Sequence, residues 1–288
     1  RTCARKTEHI MGENMGQTLA VTSGKGGVGK SCIAVNLAVS MARMGRSTLL
    51  VDADFGLGNG ALLLGCGVEN SIEHVLRGEC RAEDVAIEGP EGLILLPASA
   101  DGQRAGWELG PGAGDIRADL SSFEAQFDYI IVDTGAGLVP ETIEAAVAAQ
   151  RIVLVATPEP TAIADAYATM KTLLVERSDM AVHLLVNMVE SQSEAEELQD
   201  KFAELTVRFL GARIDNRGYI PLDRYVREAA KRQVPFAQIN PPSPAAEAIE
   251  NLALWFNHNE QASRSVGFFD SVLGWEDADW KTQAKVSP

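Results

Sequence analysis

Positive charge is scarce in this chain: 25 Lys and Arg stand against 40 Asp and Glu over 288 residues, a formal net charge of −15. An acidic balance of this size works against an extended nucleic-acid surface, because phosphate binding is carried by clustered cations. Long apolar runs are also missing. No stretch approaches the ~18 consecutive apolar residues of a membrane-spanning helix, which excludes that placement. Cysteine is sparse. Cys3, Cys32, Cys66 and Cys80 form no C-x-x-C pair and follow no secretory signal, so they read as reduced thiols of a cytoplasmic protein. His9, His74, His183 and His258 share no spacing with cysteine or carboxylate that would hold zinc. There is no internal repeat and no Ser/Gly/Pro-rich linker, which argues against a division into separate folding units.

What is present is the balance of a packed domain, 46% hydrophobic and 23% charged. Apolar runs at Thr18–Thr22, Ser47–Asp52, Leu93–Leu96, Tyr129–Asp133, Ile152–Ala156, Val182–Val186 and Tyr219–Ile220 show no alternation, the pattern of strands covered on both faces. Helical patterns separate them. Ser31–Met44 stops at Gly45, and Ser193–Leu210 carries Leu198, Phe202, Leu205 and Phe209 on one face. Ser243 and Pro244 form a cap and first turn for a stripe running to Phe256. This alternation predicts an α/β fold, a doubly wound, mostly parallel sheet with helices on both faces, over residues 18–260. Residues 1–17 are expected as a flexible tail, with Met11 or Met15 nearer the natural start. Residues 100–115 are expected as a loop, and 261–288 as a tail containing a short apolar segment.

Gly24-Lys25-Gly26-Gly27-Val28-Gly29-Lys30-Ser31 fits G-x-x-x-x-G-K-[ST] between a predicted strand and a predicted helix, the context that makes the motif a phosphate-binding loop. Backbone amides of such a loop and the positive end of the following helix face the phosphates. Lys30 neutralises the β and γ phosphates, and the Ser31 hydroxyl is suited to Mg²⁺. The expected nucleotide contacts are therefore Gly24, Gly26, Gly27, Val28, Gly29, Lys30, Ser31 and, one residue into the helix, Cys32. A strand of large apolar residues ending in Asp133, followed by Thr134-Gly135-Ala136-Gly137, has the form of a second metal station. There Asp133 holds Mg²⁺ through water and the glycines leave the loop free to move.

Lys25 is superfluous for binding phosphates within its own subunit. With it, the loop resembles the deviant Walker A motif of the MinD/ParA family of P-loop ATPases, and the resemblance runs from about Thr18 to Phe256. It implies an ATP-dependent homodimer in which Lys25 reaches the partner's phosphates. Asp52-Ala53-Asp54-Phe55-Gly56-Leu57-Gly58-Asn59 resembles the family's first switch, so Asp54 is expected to orient the attacking water and Asp52 to lie near the Mg²⁺ shell. By the same resemblance Lys25, Lys30 and Asp54 are the catalytic residues, ATP and Mg²⁺ the cofactors, and Asn187, Pro221 and Asp223 the adenine contacts.

Within the family, cluster-binding branches need cysteines that are not so placed, and tyrosine-kinase relatives carry a C-terminal tyrosine cluster, whereas the last tyrosine here is Tyr225. Asp133–Gly137, Thr157–Tyr167 and Gly218–Asp223 resemble the flagellar-number regulators. The implied output is a slow, partner-regulated ATPase switch for flagellar number or placement, or for the division site, with a flagellar GTPase or another regulatory protein as partner. The alternative is a partitioning ATPase on non-specific DNA, which the net charge disfavours. Two departures stand out. Arg1–Gln17 lacks the D-Q-A-x-x-L segment of flagellar regulators. The apolar cluster Phe268, Phe269, Val272, Leu273 and Trp275 is ringed by Asp270, Glu276, Asp277 and Asp279, which weakens any peripheral membrane contact and favours packing within the chain or against a protein.

Overall fold

The computed structural model describes residues 16–100, 106–239, 241–261 and 266–274. In chain order the elements are β1 (Gln17–Ser23), α1 (Lys30–Arg43), β2 (Thr48–Ala53), α2 (Gly60–Leu64), α3 (Ile72–Leu76), α4 (Ala82–Val85), β3 (Ile87–Glu88) and β4 (Ile94–Leu96). There follow α5 (Ala113–Glu124), β5 (Tyr129–Ala136), α6 (Pro140–Ala148), β6 (Arg151–Ala156), α7 (Pro160–Glu176), β7 (Ala181–Val189), α8 (Gln192–Leu210), β8 (Asp215–Pro221), α9 (Arg224–Lys231), α10 (Pro244–His258) and α11 (Phe268–Leu273).

One sheet forms in the order β3-β4-β2-β5-β1-β6-β7-β8 among the described residues, parallel except for the edge pair β3–β4. The expected doubly wound architecture is the one observed. Strand residues that showed no alternation have no exposed face to alternate for: β1, β2 and β6 are buried at every position. One face of the sheet packs against α1, α2, α9 and α10. The other face is covered by α5, α6, α7, α8 and α11. Ser243 caps α10 by accepting from the Ala246 amide, and Pro244 opens the helix, as the sequence pattern predicts.

Three segments differ from their sequence reading. Gln17, placed in the tail, is buried as the first residue of β1, where Arg151 and the Gln261 amide donate to its side-chain oxygen. The expected loop 100–115 ends in helix, since α5 starts at Ala113, and within it Trp107 is buried. The apolar segment beyond residue 260 belongs to the domain and not to a tail, and it packs within the chain, one of the two outcomes its acidic surroundings favoured: Phe268, Phe269, Val272 and Leu273 are buried in the core that contains α5 and α6. Burying each such phenyl contributes about 1.5–3 kcal/mol, so in this conformation these four side chains are committed to the fold and not presented to a membrane. Trp275 and the rest of that tail lie outside the described residues, as do residues 1–15. Among the described residues, no helix is long and apolar enough to cross a membrane.

Candidate functional site

Parallel sheets bind ligands at the carboxyl ends of their strands, and here that edge collects the sequence motifs. β1 delivers the turn 24–29, and α1 begins at Lys30, with Ile33 N donating to Gly29 O at 2.9 Å. Gly29 sits at φ +94°, and a Cβ on it would come within 2.5 Å of the Asn187 amide nitrogen. Only glycine satisfies both the backbone angle and that approach. Asn187, at the end of β7, donates to Val28 O at 2.8 Å and accepts from Met188 N, which ties the phosphate loop to the sheet.

The carboxylates converge through strand register. β2 and β5 pair with Asp52 directly opposite Asp133, and β1 places Val21 opposite Asp133 on its other side. Asp52 is fully buried, its two oxygens accepting from Gly60 N at 2.9 Å and Asp54 N at 3.2 Å. It therefore shapes the loop that carries Asp54. Burial above all, with Asp54 and Glu73 adding, pushes its carboxyl up to about 6, against the two amides that favour its charge. Asp133 is equally buried, and neither of its oxygens has a hydrogen-bond partner of normal geometry among the described residues. Burial and neighbouring Asp52 hold its carboxyl well above the usual range, while the nearby Ser31 hydroxyl and Lys30 ammonium pull it down. Lys30 is lowered by burial and raised by Asp133 and Asp54.

A buried carboxylate with unused oxygens beside a serine hydroxyl fits Mg²⁺, which takes oxygen ligands and keeps most of its water. Ser31 and Asp133 are the residues that would hold it. Among the described residues no group of three or more His, Cys, Asp or Glu is gathered as a metal cage, so phosphate and water oxygens must complete such a shell. Above these groups opens a cleft of about 510 Å³ lined by Gly26, Gly27, Gly29, Lys30, Ser31, Cys32, Asp54, Phe55, Asn59, Gly135, Glu141 and Thr142 among others. Burial pushes the Cys32 thiol up to about 11, so it is a neutral, unreactive wall.

A family model described as an AAA domain matches residues 16–182. The antiactivator FleN of Pseudomonas aeruginosa is 38% identical over 239 residues, covering 82% of this chain and 85% of that protein. The flagellum site-determining protein YlxH of Helicobacter pylori is 35% identical over 251 residues, covering 84% of this chain and 82% of its own length. Among solved structures, the cell division ATPase MinD of Pyrococcus furiosus superposes with a TM-score of 0.70 at 25% identity, over 85% of this chain and 99% of that one. The chain belongs to the MinD/ParA family of P-loop ATPases. Its similarity to FleN and YlxH places it with the flagellar-regulator branch that its sequence motifs resemble.

In this MinD/ParA ATPase the loop lysines go to different places. Lys30 is buried beside the carboxylates, whereas Lys25 is partly exposed and turned to the rim. Its ammonium lies 2.6 Å from Glu159 Oε2 and 3.3 Å from Thr161 Oγ1, at the start of α7. Gly24 and Val28 do not line the cleft; the Val28 side chain is buried and its carbonyl serves Asn187. Asn187, Pro221 and Asp223 do come together, in a smaller apolar hollow next to Gly29 and Cys32 that also contains Ile33, Val226 and Phe236. Asp223 spends its carboxylate on the amides of Tyr225 and Ala245, which fixes the starts of α9 and α10.

Two residues of this MinD/ParA site carried no sequence signal. Trp107 stacks edge-on against Phe55 of the first switch at 5.0 Å and against Phe268 of α11 at 5.7 Å, and its indole N–H donates to Glu141 O at 3.1 Å. Thr142 lies in α6, outside any motif, yet its side chain is fully buried at the cleft. An isolated Trp in a Gly-rich stretch and a Thr in the first turn of a helix look like ordinary residues until the chain is folded.

Proposed function

We propose that this ATPase is an Mg²⁺-dependent dimerisation switch: ATP joins two copies, and hydrolysis releases them. The observation that carries the reading is Lys25, a cation in the phosphate loop that stands apart from its own cleft, paired with Glu159 on the rim. An exposed pair of this kind contributes only ~0–1 kcal/mol, so a nucleotide presented by a second copy competes for the lysine at little cost. Exposed apolar side chains, Leu57 and Leu62 on the cleft wall and Leu138 next in the chain to its lining residue Val139, provide the surface such a contact would bury. Within the cleft Lys30 and the loop amides bind the phosphates, Ser31 and Asp133 hold Mg²⁺, and Asp52 keeps the first switch in shape. Asp54, which lines the same cleft as the phosphate loop, orients the attacking water. Asn187, Pro221 and Asp223 frame the adenine. Because FleN is named an antiactivator and YlxH a flagellum site-determining protein, the switch is read as controlling flagellar number or placement through a regulatory protein partner.

The test uses the full chain. Asp54→Ala should trap ATP and sediment as a dimer with ATP but not ADP, and Lys25→Ala in that background should return it to monomer. Phosphate release should be lost in Lys30→Ala. A monomer in Asp54→Ala at saturating ATP, with nucleotide binding intact, would sink the dimer reading.

A further inference from the structure

Thr142 has a hydroxyl that the resting fold does not use. Its side chain is 0% exposed, and Oγ1 has no hydrogen-bond partner among the described residues. Other buried or half-buried helical threonines spend that hydroxyl on their own helix: Thr169 on Asp165 O at 2.9 Å, Thr172 on Ala168 O at 3.1 Å, Thr206 on Ala203 O at 3.1 Å. Thr142 stands third in α6, after Pro140 and Glu141, where the preceding turn is not helical, so the same outlet is closed. Nor does it cap the helix, which has no side-chain cap bond at Val139. For local structure alone, valine would fill this position better, since a buried hydroxyl without a partner is destabilising.

The surroundings indicate what the hydroxyl is for. It lies beside Gly135, the first glycine of the second switch: a Cβ added there would lie 2.7 Å from Thr142 Oγ1 and 3.3 Å from Asp54 Oδ1. The hydroxyl from α6 and the carboxylate of the first switch thus border the same space, the one a side chain at Gly135 would fill, and all three residues line the cleft.

We propose that Thr142 is a positioning residue for hydrolysis, its hydroxyl donating to the Asp54 carboxylate across Gly135 when the switches close on ATP, so that the other Asp54 oxygen faces the water. This rests on the role given to Asp54 above. The hydroxyl lacks a partner among the described residues without nucleotide and gains one in the reactive state, so its removal separates stability from turnover.

The experiment compares Thr142→Val, which replaces the hydroxyl by a methyl of similar size, with Thr142→Ser, which keeps it. Thr142→Val should melt at the same temperature as the parent or higher without nucleotide. Its single-turnover phosphate release should fall about tenfold or more, the loss of one hydrogen bond to a charged group, while ATP affinity stays within about twofold by that same conversion. Thr142→Ser should restore the rate. Parental turnover in Thr142→Val, or a Thr142→Ser variant as slow as Thr142→Val, overturns the proposal. If Thr142→Val does not fold, Thr142→Ala takes its place under the same criteria, and failure of both hydroxyl-free variants to fold makes the role structural and overturns it as well. Asp54→Ala is run alongside. If it hydrolyses ATP normally, the reading of Asp54 fails; if it is dead while Thr142→Val is normal, only the present inference fails.

Discussion

Replacing Glu159 by Gln removes the partner that holds Lys25 in its own subunit while leaving the fold alone. Glu159 makes no side-chain cap bond to α7, so the helix start is unaffected. The contact is short, 2.6 Å, but the two side chains are 40% and 61% exposed. Exposed pairs contribute roughly 0.2–1 kcal/mol, because water screens them and two long side chains must be held still. Each dimer that forms breaks two such pairs. Glu159→Gln should therefore tighten the ATP-dependent dimer by about 2- to 30-fold in dissociation constant. The upper end is not expected, since Thr161 Oγ1, 3.3 Å from Lys25, still offers a weak hold. Sedimentation equilibrium of Glu159→Gln in an Asp54→Ala background with saturating ATP, against Asp54→Ala alone, measures the shift. The gain should fade as salt approaches ~1 M, where the screening length is about 3 Å. An unchanged or weaker dimer at low salt would refute the reasoning, because Lys25 would then not be withheld by Glu159.

Two further outcomes follow from buried charge. Asp133→Asn removes a buried carboxylate whose oxygens have no hydrogen-bond partner of normal geometry among the described residues, so the nucleotide-free protein should melt higher while Mg²⁺-dependent phosphate release is lost; a lower melting temperature with activity retained contradicts the assignment. Glu124 is buried under α11, one oxygen accepting from Phe269 N at 3.0 Å and the other without a partner of normal geometry among the described residues, and burial pushes its carboxyl from 4.5 up to about 7. A carboxyl raised on folding binds its proton more tightly in the native state, so stability is lost as pH rises from about 4.5 through about 7, by at most ~3 kcal/mol for this one group. Glu124→Gln should show a flatter fall in melting temperature between pH 5 and 8 than the parent, measured by calorimetry; parallel curves would dismiss the effect.

The strands and the phosphate loop were readable because they rest on local rules. A strand buried on both faces must be apolar throughout, and β1, β2, β5, β6 and β7 each contain the run that predicted them. A turn that points backbone amides at phosphates must be rich in glycine. The tail boundary failed for the opposite reason: Phe268 and Phe269 form a short apolar cluster in a acidic stretch, and nothing near them in sequence says that Trp107 and Glu124 are waiting to receive them. The expected adenine contacts fall between these cases. Asn187, Pro221 and Asp223 do share a hollow, but the amide of Asn187 and the carboxylate of Asp223 are also holding backbone in place.

By itself, then, the sequence determines which groups the proposed phosphate and magnesium chemistry would use: Lys30 and Ser31 in a glycine-rich turn before a helix, and aspartates at strand ends. Those features are local, since spacing along a strand or turn sets which groups face one way. Tertiary structure decides how that chemistry is arranged. It sets Asp52 against Asp133 through the pairing of β2 with β5, turns Lys25 away to Glu159, and brings Thr142 and Asp54 to the same side of Gly135. Each of these contacts joins residues far apart in the chain, and a contact of that kind exists only once the sheet has brought its strands side by side.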